Sequence, residues 1–327
     1  MKITGSLRAA LALMVVLTCA AGAVRAQVAG YPDRPIKLLV GFGAGGGTDI
    51  VARLLAQKMS ESLGQSVVVE NRTGASGMIA AADLAKSPPD GYALMMGTQT
   101  IFAVGPILYR KTVTLDPPKD FAGVTLTGAS PLVLVANPTF PARTVADVIA
   151  MAKANPGKIN FGTGGVGTTP HMTAELFEHD AGIRMVHVAY RGEAPAINDA
   201  VAGQIPMMFA NLSAVMGHVK GGTLRGIAVT SAQRAPTAPD LQTVSETIPG
   251  FAAESWFGIV APAGTPRDIL QRLNAAAREG LASADTKAAQ LGMSNNSSSP
   301  EEFDAYIKSE IARWSQVIKD AHIEAAN

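Results

Sequence analysis

Two glycine-rich turns of the same form constrain this chain more than anything else in it. Gly41-Phe-Gly-Ala-Gly-Gly46 and Gly162-Thr-Gly-Gly-Val-Gly167 both match G-x-G-x-x-G and lie about 120 residues apart. Each sits between an apolar run and a helical pattern. Residues 35–40 read as a strand before the first turn, and Ile50, Val51, Leu54, Leu55 and Met59 as the helix after it, ending at Gly64. Residues 159–161 and a helix from about Pro170 flank the second turn. Glycines let the backbone approach a ligand closely, and the N–H groups that open a helix attract an anion. Two such units with facing turns would enclose a cleft.

The rest of the chain keeps the same alternation. Residues 66–70 and 92–96 read as strands, with an alanine-rich helix over 78–86 and the turn Pro88-Pro89-Asp90-Gly91 between them. Further strands are expected at 132–136, 185–188, 205–209 and 224–230, with a helix near 194–202. Strands alternating with helices indicate an α/β fold with a parallel sheet. Helix starts are marked by the capping box Thr144-Val-Ala-Asp147. They are also marked by Thr265-Pro266-Arg267-Asp268 and by Ser299-Pro300-Glu301-Glu302. Beyond the last, Phe303, Ile307, Ile311, Trp314 and Ile318 recur at helical spacing, which makes Trp314 a core anchor.

The N-terminus reads differently. Lys2 and Arg8 precede an apolar run over 11–23, and Val24-Arg25-Ala26 fits a small-residue cleavage site. That layout is a secretory signal peptide over residues 1–26, and the run is short of the roughly 20 residues of a membrane span. Cys19, the chain's one cysteine, would leave with it; Thr18 before it does not suit a lipoprotein signal. Cleavage removes three cations and takes the formal charge from +1 to −2. The mature chain is then exported, soluble, and without disulfide, thiol nucleophile or thiolate metal site. With 47% hydrophobic and 16% charged residues the chain is globular. The near-neutral balance offers no footprint for nucleic acid.

Three readings of the turns compete: a dinucleotide loop, plain tight turns, and capture of a small anion such as a carboxylate. A dinucleotide loop wants an acid about 20 residues on. Glu70 is 29 residues past Gly41, and export removes the obvious nicotinamide supply. Asp49, in the first turn of the helix, either complements the helix dipole or faces the ligand. Of Thr163, Thr168 and Thr169, one is expected to cap its helix and at least one to stay free for a carboxylate. Catalytic signatures are missing: Gly74-Ala-Ser-Gly77 falls one residue short of a serine-hydrolase elbow. The histidines at 171, 179, 187, 218 and 322 form no H-E-x-x-H. His171 and Glu175 share a helix face, read as a local hydrogen bond and not a metal site; His187 reads as a core residue. No cofactor and no metal are expected.

Taken in order, these pieces resemble the exported solute receptors of tripartite tricarboxylate transporters, the Bug family. The resemblance is carried by Tyr31-Pro-Asp-Arg-Pro-Ile36, Gly43-Ala-Gly-Gly-Gly-Thr-Asp49 with Ala52-Arg53, and Val69-Glu-Asn-Arg-Thr-Gly-Ala75. It continues in Pro89-Asp-Gly-Tyr92, the second turn with His171, and Val188-Ala-Tyr-Arg-Gly192. It implies a periplasmic binding protein of two Rossmann-like lobes closing on one carboxylate, without catalysis. Lobe 1 would comprise 27–125 and 256–327, and lobe 2 would comprise 126–255, with crossings near 124–131 and 255–260. The residues implied for ligand binding are Phe42, Ala44, Gly45, Gly46, Thr48, Asp49, Thr98, Thr163, Gly164, Gly167, Thr168, Tyr190 and Arg191. Two departures from the family pattern stand out. Gly41 replaces the usual proline, which would loosen the first loop, and Arg191 replaces the usual lysine, which leaves the rim cationic. The implied partners are a small carboxylate and a membrane permease or a sensor receptor, the chain itself acting as a monomer. The alternative from another class is an exported oxidoreductase using one glycine-rich loop for a dinucleotide.

Overall fold

The computed structural model describes residues 30–290, 292–294, 296–320 and 323. The expected signal peptide, Cys19 and His322 lie outside them. The chain runs β1 (Ile36–Val40), α1 (Gly47–Leu63), β2 (Val67–Asn71), α2 (Met78–Ala85) and β3 (Ala93–Thr98). A short helical stretch over 100–108 leads to β4 (Phe121–Ala136). Then come α3 (Val145–Ala154), β5 (Asn160–Thr163), α4 (Thr169–Ala181), β6 (Val186–Ala189) and α5 (Glu193–Val201). They are followed by β7 (Met207–Asn211), α6 (Leu212–Lys220), β8 (Arg225–Val229), β9 (Gln242–Thr243) and β10 (Glu254–Pro262). Two long helices, α7 (Arg267–Gln290) and α8 (Pro300–Asp320), complete it.

The strands follow the order β2-β1-β3-β10-β4-β7-β5-β6, with β8 on β4 and β9 on β8. Pairs β1–β2, β1–β3, β5–β6 and β5–β7 are parallel, as expected for βαβ units. The long strand β4 changes partner partway. Residues 121–131 pair antiparallel with β10, and residues 132–136 pair with β7 and β8. The return lies just before β10, where Ala253 N–H donates to the carbonyl of Thr230 (2.9 Å).

Each side of this change has its own core on both faces of the sheet, the layered form of α/β folds. On one side Leu38, Val51, Leu55, Met59, Leu94, Ile259, Ile269 and Leu273 bury against α1 and α7. The opposite face packs Leu84, Phe102, Trp256, Phe303 and Ile307. Beyond residue 131, Leu134, Phe161, Phe177 and Phe209 form one core and Val133, Ile197, Met208 and Val215 the other. Trp314 is buried, as its spacing predicts. Its indole N–H and that of Trp256 both donate to Glu310 Oε2, at 3.1 and 2.9 Å.

The capping box at Thr144 forms as read from the sequence, and the cap read at Ser299 forms as a second box. The helical stretch over 100–108, β9, β10, the first half of β4 and α6 are not anticipated there. The first half of β4 is rich in glycine, serine and threonine and shows no clean alternation, because it is covered on both faces. At Gly128, φ is +147° and an added Cβ would lie 2.0 Å from the Ser294 carbonyl oxygen, so only glycine fits. Helix α6 starts directly after β7, with no turn residues to announce it.

Candidate functional site

Both glycine-rich turns lie at one cleft. The first delivers the N-terminus of α1, the second that of α4. Helix-opening N–H groups have no partner within their own helix, and here each first amide is met by a side chain from across the cleft. Gly47 N–H donates to Glu193 Oε2 at 2.9 Å. Thr169 N–H donates to Thr100 Oγ1 at 2.9 Å. The exchange is reciprocal: Glu193 opens α5 and caps α1, while Thr100 follows β3 and caps α4.

Between these contacts lies a pocket with about 450 Å³ of empty space, open solvent at its mouth included. Its walls are Phe42, Gly46, Gly47 and Thr48 from the first turn, and Gly164, Thr168, Thr169 and Pro170 from the second. Thr98, Ser255 and Phe257 come from β3 and β10, Thr100 from the helical stretch after β3, and Glu193 and Asn211 from the start of α5 and the end of β7. The hydroxyl of Thr98 and the side-chain oxygen of Asn211 are buried there without a hydrogen-bond partner.

The lobes touch closely around it. An added Cβ on Gly47 would come 2.7 Å from Asn211 Cβ and 3.0 Å from Ser213 Oγ. Within the second lobe, one on Gly164 would come 3.1 Å from Glu193 N. Behind the second turn, Ser76 Oγ and Tyr109 Oη donate to the carbonyl of Val166, at 2.5 and 2.9 Å.

Of the residues implied for binding, Phe42, Gly46, Thr48, Thr98, Gly164 and Thr168 line this cavity. The others serve its frame. Asp49 is buried. Its Oδ2 accepts from Gly45 N–H (3.0 Å) and Arg53 Nε (2.9 Å), and its Oδ1 from Asn71 Nδ2 (2.8 Å). Burial pushes its pKa up, but those donors together outweigh it and hold the carboxyl below its usual range. Asp49 thus ties the first loop to its helix and to β2, with both oxygens engaged. Ala44 and Gly45 are exposed on the outer turn. Gly167 donates to His171 Nδ1 (3.2 Å) from a positive-φ turn.

Thr163 Oγ1 lies 2.6 Å from His187 Nε2 and also meets the main chain of Gly165. Burial, and then neighbouring His171, pull His187 down to about 3, so it is neutral. Tyr190 donates to Asp199 Oδ2 at 2.7 Å, and Arg191 is exposed. His171 and Glu175 meet at 3.3 Å.

Two expectations need correction. Thr168 occupies the N-cap position of α4 but caps nothing, because its hydroxyl donates to the Gly165 carbonyl at 2.7 Å. Nor is a threonine hydroxyl of this loop left over, since Thr169 Oγ1 meets Thr100 Oγ1 at 3.3 Å. At Gly41, an added Cβ would lie 2.6 Å from Gly77 Cα, so glycine there admits close packing of a neighbouring turn. Sequence reading names Thr169 as a candidate and Gly47 within the first loop, but misses Thr100, Pro170, Glu193, Asn211, Ser255 and Phe257 as cavity walls. Only the helix-start position of Pro170 could have signalled any of them.

Comparison with known proteins agrees with this geometry. The model of the tripartite tricarboxylate transporter family receptor, TctC, matches residues 51–323. Protein BugT of Bordetella pertussis is 36% identical over 295 residues, covering 89% of this chain and 90% of its own. The structure of R. palustris Rpa4515 with adipate has a TM-score of 0.87 at 37% identity, over 90% of this chain and 99% of that one. MatC of Rhodopseudomonas palustris, with bound malate, has a TM-score of 0.82 at 29% identity, over 88% and 100%. A two-lobed α/β chain whose paired glycine-rich helix starts meet at one cavity belongs to the tripartite tricarboxylate transporter receptor family, TctC.

Proposed function

We propose that this protein is an exported, periplasmic receptor that closes on a small carboxylate in the cleft, without catalysis. The observation that carries this reading is the convergence of two helix N-termini, one from each side, on a single walled cavity. Helix-opening amides favour negative charge, and hydroxyls at Thr48, Thr98 and Thr100 add donors suited to a carboxylate. Rpa4515 holds adipate and MatC holds malate, which supports the same ligand class here. Residues 1–26 serve as the leader, and β4 and β10 join lobe 1 to lobe 2. The residues in the ligand's reach are those of the cavity wall, with Asp49, Thr163 and His187 supporting the loops.

Closure follows because a ligand that touches both lobes favours the closed form by its differential affinity. A membrane partner, permease or sensor, then reads that form. A dinucleotide fits less well, since the α1 amide that would meet its pyrophosphate already holds the Glu193 carboxylate.

A thermal-shift screen of the mature protein against small carboxylic acids, with NAD included, tests the proposal. Ligand at 100 times its dissociation constant adds about 2.7 kcal/mol of stability, a shift of several degrees or somewhat less at this size. A shift with acids alone supports the receptor. A shift with NAD and no acid returns the dinucleotide loop.

A further inference from the structure

The two helix starts at the cavity are not equivalent anion sites. At α4 the first amide is met by a neutral hydroxyl, Thr100 Oγ1. At α1 it is met by a carboxylate. Glu193 Oε2 accepts from Gly47 N–H (2.9 Å) and Asn211 Nδ2 (3.1 Å), and Oε1 accepts from Asn211 N–H (2.5 Å) and Asn211 Nδ2 (3.2 Å). Burial raises its pKa, against the pull of these donors toward the ionised form. The α1 side of the cavity therefore already holds an acid, and its first amide is spent.

Next to it, Asn211 Oδ1 is a second acceptor. It is unpartnered, belongs to a residue only 7% exposed, and lines the cavity. A buried acceptor without a donor is costly, and a ligand that brings one relieves it. By contrast Thr98, 4% exposed, brings an unpartnered hydroxyl able to donate, two residues before Thr100. Donors thus gather around Thr98, Thr100 and the α4 start, and acceptors around Glu193 and Asn211.

Resting on the receptor reading above, we infer that Glu193 and Asn211 set the ligand class: an acid with one carboxylate and, away from it, a hydrogen-bond donor such as a hydroxyl or an amine. A second carboxylate would face the oxygens of Glu193 and Asn211 with no donor left for it, because the helix amide is already taken. Glu193 acts as an internal acid standing where a diacid would place its second one.

Calorimetric titration of matched acids tests this. The first set is succinate, 4-hydroxybutyrate and 4-aminobutyrate; the second is adipate, 6-hydroxyhexanoate and 6-aminohexanoate. The wild type is expected to bind a donor-bearing acid at least tenfold tighter than the diacid of the same length. Glu193→Ala frees the Gly47 amide, and is expected to cut that preference at least tenfold by strengthening the diacid. Glu193→Gln, which keeps the bulk and turns one oxygen into a donor, is expected to move it the same way by less, and guards against a folding defect in the alanine variant. A wild type that binds the diacid as tightly as its partners overturns the inference, as does a preference that neither variant moves. Binding of none of the six, nor of any acid in the thermal screen, instead overturns the carboxylate reading itself.

Discussion

The two glycine-rich turns share a sequence pattern and a place in their βαβ units, yet their surroundings are opposite in kind. The first is braced by charge. Asp49 gathers Gly45, Arg53 and Asn71 beneath the loop, and a second carboxylate, Glu193, caps the helix it opens. The second is braced by neutral groups. Thr163 rests on a His187 that burial keeps uncharged, and a hydroxyl caps the helix. A G-x-G-x-x-G motif therefore sets a backbone shape and not an electrostatic character. That character comes from elsewhere, since the caps stand 146 and 69 residues away along the chain.

The largest test of this contrast is steric. Gly47→Ala sets a Cβ against Asn211 and Ser213 in the closed cleft, and overpacking of this kind costs about 1–3 kcal/mol. Affinity for the best carboxylate is expected to fall roughly tenfold to a hundredfold. The urea midpoint should change little, because alanine suits a helix at least as well as glycine. An unchanged dissociation constant would mean that the Asn211 side yields and the cleft is looser than drawn.

Next come the caps themselves. Glu193→Ala leaves Gly47 N–H and the Asn211 donors unmatched and is expected to lower unfolding stability by about 1–3 kcal/mol. Thr100→Val removes a neutral partner from one amide and should cost about 1 kcal/mol. Equal losses in urea titration would erase the distinction between a carboxyl and a hydroxyl cap.

The smallest effect is a pH slope. His187 is pulled to about 3, below its ordinary value of 6.5. A depressed folded value means that the unfolded chain takes up the proton first, so stability is lost as pH falls below about 6.5. For this half-buried group the loss between pH 7 and pH 5 is expected to be about 1 kcal/mol. The comparison of interest is wild type against His187→Gln, which should flatten that part of the slope. Asp49 also has a depressed value, but its contribution is lost only below its ordinary 3.8, so Asp49→Asn should leave the slope between pH 7 and pH 5 unaltered. A matching change in both variants would show that the two loops do not differ in how they are braced.

Much of the fold is legible because its signals are local. Strands 36–40, 93–98 and 160–163 follow from apolar runs, the helix stops from Gly64, and the boxes at Thr144 and Ser299 from short-range hydrogen bonds. The loops of the site are legible for the same reason, since glycine at a strand-to-helix junction has few other uses. The far walls are not. Thr100, Ser255 and Phe257 look like ordinary strand and helix residues, and reach the cavity only through the pairing of β3 with β10. Glu193 reads as a routine acid in the first turn of α5; that it reaches across to Gly47 depends on how the lobes close. Asp49 shows the reverse case, where position alone left two roles open and its three partners give it a third, bracing the loop.

One further consequence follows from β4. Its first part is hydrogen-bonded into one sheet and its last residues into the other, with no loop between them. Neither lobe can melt without pulling at a strand that its neighbour also needs. The molecule is then a single thermodynamic unit despite its two cores, and its heat-capacity trace should show one endotherm whose calorimetric and van't Hoff enthalpies coincide. The proposed closure would then work by twisting that continuous backbone, with the strands of both sheets kept in register.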